Sequence, residues 1–246
     1  MSLIGVSVFG PRLDGALIAQ YDFDTAGSLI DDSSGNGNSL SNNGAVFDSN
    51  GYRGGAAYFA SGGYLTAPVD VQVATLPEMT WGAWVQASSA SVIQTILSHD
   101  NGGFDRTLNI DDRGNTIATG GTWSSFDGLG VSSGDVPVAA GEWVFVAAAY
   151  DQANSLMRFH VGEQTFTLTT GFDGTAGQEA TFAIGRNPNH SEPFTGLIDE
   201  VFVYDNFLSE SEVNQIRLTG MVPEPGAASL LALSALGLGL RRKRAH

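Results

Sequence analysis

The chain has 246 residues, 42% hydrophobic and 15% charged, which is ample apolar material for a core and excludes global disorder. It contains no cysteine, so disulfide frameworks, zinc–thiolate sites and thiol nucleophiles are excluded. The net charge is −15, with four of the 11 basic residues gathered at 241–244 and residues 1–220 free of lysine. An acidic body of this kind repels phosphate backbones, so nucleic acid is not an expected partner.

Residues 1–15 hold a short apolar run, LIGVSVF at 3–9, with no basic residue before it and with Pro11, Arg12 and Asp14 after it. An export signal needs a basic start, an apolar run and a small-residue cleavage site. The segment is therefore read as a remnant or truncated export signal. From residue 17 the pattern becomes strongly β. LIAQYDF (17–23) alternates, with Leu17, Ala19, Tyr21 and Phe23 on one face, and TWGAWVQ (80–86) does the same with Trp81, Ala83 and Val85. WVFVAAAYD (143–151), the hairpin MRFHVGEQTFTL (157–168), TFAIGRN (181–187) and LIDEVFVYD (197–205) continue the series. Trp81 and Trp143 are expected in the core. The 32 glycines are scattered among Asn, Asp and Ser, a composition of tight turns. Period-two patterning with frequent turns predicts an all-β, antiparallel two-sheet sandwich. Ser209 and Glu212 then form an S-x-x-E capping box before Val213, Ile216 and Arg217, which predicts a short C-terminal helix ending at Gly220.

The chain closes with VPEPGAASLLALSALGLGLRRKRAH, in which residues 226–240 are uncharged. As a helix that run would reach about 22 Å, short of the ~30 Å hydrocarbon core. It predicts a separate apolar helix in transient membrane contact, not a permanent span. Val222, Pro223, Glu224 and Pro225, the apolar run, and the basic cluster of Arg241, Arg242, Lys243 and Arg244 together resemble the PEP-CTERM sorting signal. That resemblance implies export in a Gram-negative-type bacterium and processing by an exosortase. It also implies a periplasmic, outer-surface or extracellular-matrix location, often with polysaccharide or biofilm.

The body carries a second resemblance. AQYDFD (19–24) with DDSSGNGN (31–38), GGAAYFASGGYLTAP (54–68), MTWGAWVQ (79–86), GEWVFVAAAYD (141–151), and AIGRN (183–187) with FTGLIDEVFVYDNFLSESEV (194–213) stand in that order. Together they resemble the laminin G-like, concanavalin A-type jelly-roll family over about residues 16–218. A Y-V-D-G turn common in that family is replaced by His160, Val161, Gly162 and Glu163, and residues 87–140 match poorly. The expected organisation is residues 1–15 as signal remnant, 16–220 as the jelly roll and 221–246 as sorting signal.

Three chemistries follow. Asp199 is read on the core-facing row with Val201 and Val203, where a carboxylate needs partners. With Asp22, Asp24, Asp32 and Asn36 it makes an oxygen-rich set suited to Ca²⁺, and the resemblance implies a structural calcium. The alternative is an Asp199 that only accepts backbone N–H bonds from the 31–38 loop. For catalysis, the E-x-D-x-x-E pattern of concanavalin-type glucanases is missing, and Asp199 and Glu200 are adjacent, so on a strand they point to opposite faces. An enzyme is not expected. For binding, Trp123, Phe126 and Asp127 sit in a loop-like GGTWSSFDG stretch. Phe104 and Arg106, with His99, Asp100, Asn101 and Asp105, form a second polar-aromatic cluster, and Asn187 and His190, with Asn189, a third. These are the candidate contacts to extracellular polysaccharide or glycoprotein glycans. The expected function is an exported carbohydrate-binding or adhesive module. The alternatives are a structural matrix protein without a specific ligand and a glycan-active enzyme of the same fold.

Overall fold

A computed structural model describes residue 13 and residues 15–220, apart from 92, 117–119, 127, 129, 170 and 172–179. Asp127, most of the signal remnant, and the sorting segment with Pro223, Glu224, Pro225, Arg241, Arg242 and Arg244 lie outside the described residues.

The described elements run β1 (Leu17–Tyr21), β2 (Ser41–Asn43), β3 (Val46–Asp48), β4 (Ala56–Phe59), β5 (Tyr64–Ala67), β6 (Glu78–Ala87) and β7 (Gln94–Ser98). They continue with β8 (Thr107–Asp111), β9 (Thr122–Phe126), β10 (Val131–Pro137), β11 (Trp143–Asp151), β12 (Leu156–Val161), β13 (Gln164–Thr169), β14 (Phe182–Ile184), β15 (Gly196–Tyr204) and α1 (Glu210–Thr219). The strands form two antiparallel sheets. The first has the order β13-β12-β11-β6-β15-β4-β3, with β1 also paired to β15. The second has the order β10-β9-β8-β7-β14-β5-β2. The non-consecutive neighbours β11-β6-β15-β4 in the first sheet and β7-β14-β5-β2 in the second mark the crossings of a jelly roll.

Alternation places one row of each strand in the core between the sheets. Ala19, Tyr21 and Phe23, then Trp81, Ala83 and Val85, and Val146, Ala148 and Tyr150 enter it from the first sheet. Ile96, Leu108, Ile110, Trp123, Phe182 and Ile184 enter from the second. The outer face of the first sheet carries a smaller cluster, Trp84, Phe145, Ala147, Phe202 and Tyr204, which α1 covers with Val213 and Ile216. The helix starts as its sequence requires. Glu212 N–H donates to Ser209 Oγ at 3.3 Å, and Ser209 N–H donates to Glu212 Oε2 at 2.7 Å. Trp81 is core as expected. Trp143 is not, because it lies against the outer cluster, at the edge of the Tyr52 ring that stacks on Trp84.

One feature of β15 overturns the face assigned to Asp199. Asp199 pairs with Trp84, and the register then slips before Phe202 pairs with Gly82. Glu200 takes a left-handed φ of 52°. This is a β-bulge, and one extra residue inverts the parity beyond it. Ile198, Val201 and Val203 therefore face the core, while Asp199 stands on the outer row with Trp84.

Candidate functional site

The bulge lies where the neighbouring edge is shared. Residues 201–204 of β15 pair with β1, and residues 196–198 pair with β4. Between those pairings Asp199 is fully buried. Its Oδ2 accepts Arg53 N–H at 2.9 Å and its Oδ1 accepts Glu200 N–H at 2.7 Å. Burial raises its pKa to about 7, and the negative charges of Glu200 and Asp24 add to the rise. Burial, with Asp24 and Asp22 nearby, also raises Glu200. The Arg53 guanidinium stands 4.0 Å from Glu200 and donates to the carbonyls of Arg217 and Leu218 at the end of α1. The loop feeding Asp199 is thus 49–55, not 31–38.

Asp32 and Asn36 belong elsewhere. Asp32 accepts N–H bonds from Gln20, Ser34 and Asn38, and Asn36 Nδ2 donates to the carbonyls of Leu17 and Ile18. Both fasten the 31–38 loop to β1. Among the described residues no three His, Asp or Glu side chains converge as a metal group. Of the five oxygen donors, Asp24 and Asp199 are the pair near the 51–55 turn, close enough for the charge of Asp24 to act on Asp199. The turn at 51–55 closes on them, since a Cβ at Gly54 (φ +69°) would fall 2.0 Å from Asp24 Oδ1 and one at Gly55 2.5 Å from the Phe23 carbonyl. Oxygen donors from loops are what calcium takes.

The binding candidates divide differently. Trp123 is a core residue on β9, 1% exposed, not a loop platform. GGTWSSFDG was legible as a loop because of its glycines and serines, but TWSSF pairs with both β8 and β10. Arg106 precedes Thr107 and points the opposite way. It is 3% exposed, donates to the Val71 carbonyl at 2.8 Å and lies 5.1 Å from the Tyr150 ring. Burial lowers its pKa to about 10. It is held inside the sandwich and is not available to a ligand.

Phe104, Phe126 and His190 do meet. With Asp100, Gly103, Arg113 and Glu192 they line a cavity of about 280 Å³, near the lower end of small-molecule sites. The β7–β8 loop supplies Asp100, Gly103 and Phe104, and the β14–β15 loop supplies His190 and Glu192. Asn187 organises the second loop. Its Oδ1 accepts Asn189 N–H at 2.9 Å and His190 N–H at 3.0 Å, and its Nδ2 bridges Asp100 Oδ2 (2.8 Å) and Glu192 Oε2 (3.1 Å). Asn187 is fully buried and so supports the site from beneath. The Phe104 ring packs edge-on against Phe126. The Arg113 guanidinium lies over both rings, forks onto Asp111 and stands 3.9 Å from Glu192. Phe104, Ser191 and Glu192 all hold left-handed φ angles of 65°, 70° and 39°. Such conformations cost energy in non-glycine residues and gather at sites of function. Asp100 belongs to the polar-aromatic cluster legible in the sequence, whereas Arg113 and Glu192 were missed. Glu192 lies two residues beyond His190, and nothing local marks Arg113.

Residues 59–214 match the family model for the concanavalin A-like lectin/glucanases superfamily. The chain belongs to this superfamily. Comparison with curated proteins gives no match. Among solved structures, it is similar to domain 4 of AbnA, an extracellular arabinanase from Geobacillus stearothermophilus, in complex with arabinotriose. That pair has a TM-score of 0.62 and 22% identity, covering 82% of this chain and 98% of the other. It is also similar to the binding domain of botulinum neurotoxin serotype D, with a TM-score of 0.60 and 14% identity, covering 81% of this chain and 51% of the other. A type C botulinum neurotoxin structure, described as needing two ganglioside molecules for cell entry, gives 0.59 and 13%, covering 85% and 52%. The chain therefore spans about half of each toxin chain. At these identities the likeness establishes the fold.

Proposed function

We propose that this lectin-like domain is a carbohydrate-binding module that takes a glycan in the cleft between Phe104 and His190. One observation carries the reading. An aromatic ring left 37% exposed stands beside a guanidinium, an imidazole and two carboxylates, on loops fastened by a buried Asn187. An aromatic face takes the apolar face of a sugar, and a few convergent polar groups fix its hydroxyls. The arabinotriose bound to a structurally similar domain supports the choice of ligand class. The reading is tested by calorimetric titration with arabinotriose and a panel of neutral oligosaccharides. Phe104→Ala and His190→Ala are expected to abolish binding at an unchanged unfolding midpoint. Undiminished binding by both variants would refute the cleft.

Calcium bound by Asp24 and Asp199 would fasten the 51–55 turn to the bulge, away from the cleft, and its role is structural. The PEP-CTERM resemblance of residues 222–244 supports export, exosortase processing and a final place on the cell surface or in the extracellular matrix. Glu224→Ala in the host is expected to leave the protein unprocessed in the membrane fraction.

A further inference from the structure

We propose that a second cleft on the same sheet, between Arg186 and Tyr64, is a carboxylate-recognising subsite, so that the glycan taken is an acidic one bearing uronic-acid carboxylates. This rests on the glycan-binding reading and specifies its ligand. The cleft has a volume of about 170 Å³ and is lined by Tyr64, Thr66, Thr181, Arg186 and Pro188 over β5 and β14. It lies beside the first cleft. Ala183 of β14 pairs with Thr66 on one side and with Ser98 on the other. The loop after β14 runs between the two cavities, giving Arg186 and Pro188 to one and His190 and Glu192 to the other. Strands stand ~4.8 Å apart, so the two cavities are a few strand spacings apart on one face, a span that an oligosaccharide of several residues covers.

Arg186 is unlike the other described arginines. Arg53, Arg113 and Arg217 each face a carboxylate, and Arg106 and Arg158 donate to main-chain carbonyls. Arg186 makes no ion pair among the described residues, and its Nε is buried without a hydrogen-bond partner. The guanidinium carbon lies 4.8 Å from the Tyr64 ring centroid, a stacking that holds the fork without using its donors. A buried donor left unmade is costly and calls for an acceptor. Among the described residues no Asp or Glu lines this cleft. At physiological ionic strength charges beyond about 8 Å are largely screened, so an entering group meets the guanidinium and the hydroxyls of Tyr64, Thr66 and Thr181. That donor-rich lining selects an acceptor, and the planar fork matches a planar carboxylate in two-point fashion.

The test is calorimetric titration of the full chain at physiological ionic strength. The probes are tetramers of galacturonate, glucuronate and mannuronate, each as the free acid and as its methyl ester, which removes the charge and keeps the ring. At least one free acid is expected to bind about 10-fold or more tightly than its ester, the scale of a charge-assisted hydrogen bond. Arg186→Gln is expected to bring the acid down to the ester and leave the ester unchanged. The Arg186 Nε–H resonance of the wild type is expected to shift with the acid alone. Equal binding of acid and ester, or an Arg186→Gln variant that keeps the preference, overturns the subsite while leaving the first cleft intact. Failure of every neutral, esterified and acidic probe overturns both.

Discussion

The buried imidazole of His160 sets a measurable pH dependence. His160 pairs with Thr165 across the β12–β13 hairpin and is 3% exposed. Its Nδ1 lies 3.1 Å from Thr165 Oγ1, and its Nε2 is buried without a partner. Burial, and then the charge of Arg158, lowers its pKa from 6.5 to about 4. A neutral imidazole is thus built into the fold, and the unfolded chain takes up the proton first on acidification. Stability from this group is complete above pH ~6.5 and is lost as pH falls toward 4. At 1.36 kcal/mol per pH unit the loss is roughly 3 kcal/mol, a large part of a typical 5–15 kcal/mol total. Urea unfolding at pH steps from 7.5 to 4, in chelator, measures it. His160→Phe removes the titration. Losing the Thr165 contact moves the variant's whole curve without changing its slope. Between pH 7 and 4 the wild type is expected to lose roughly 3 kcal/mol more than the variant, and parallel profiles would refute the buried neutral imidazole.

Asp199 has the opposite sign. Its folded pKa of about 7 exceeds the ordinary 3.8, so without divalent cations stability falls as pH rises from about 4 to 7, by up to roughly 4 kcal/mol. Asp199→Asn is expected to flatten that limb in chelator, and calcium at pH 8 to raise the midpoint of the wild type alone. Trp123→Ala is expected to cost about 3–5 kcal/mol in urea unfolding, as for a large core residue. A loss below 1 kcal/mol would return Trp123 to the surface. Ser209→Ala, which opens the capping box, is expected to cost about 1 kcal/mol.

The sequence made the sandwich legible because its alternating strands are long and apolar on one face. WVFVAAAYD forms β11 residue for residue, and the capping box starts α1 where Ser209 stands. Two local events defeated the same logic. Counting by twos through β15 put Asp199 beside Val201, because a bulge leaves no mark in composition and only the pairing register reveals it. In β7–β10 the apolar signal is diluted, since TWSSF and VSSGDVP carry Ser and Gly where strands elsewhere carry Val or Ala. The 99–106 and 187–190 clusters were visible as separate polar-aromatic stretches. Their union depends on Asn187 reaching Asp100 across 87 residues of chain, a pairing that no local pattern encodes.

The outward row of β7, β8 and β9 explains why the site uses loops. Ser98, Thr107, Asn109, Asp111, Thr122 and Ser124 occupy the face that alternation assigns to water, yet each is at most 1% exposed. Buried polar groups call for partners, and apart from Asn109 Oδ1 these side chains find theirs within the sheet. Ser98 and Thr107 share a bond of 2.8 Å, Asn109 donates to Asp111, and Thr122 and Ser124 lie 3.3 Å apart. A floor whose donors are already spent within the sheet has little to offer a sugar hydroxyl. Recognition then falls to the rim, where the Phe104 ring is open and the His190 side chain is 55% exposed. Ser124→Ala is therefore expected to cost about 1 kcal/mol of stability, a typical hydrogen bond, and to leave glycan affinity unchanged. Phe104→Ala is expected to do the reverse. Unfolding and titration of the two variants side by side decide the matter, and a Ser124→Ala variant that loses affinity at full stability would move the binding surface from the rim to the floor.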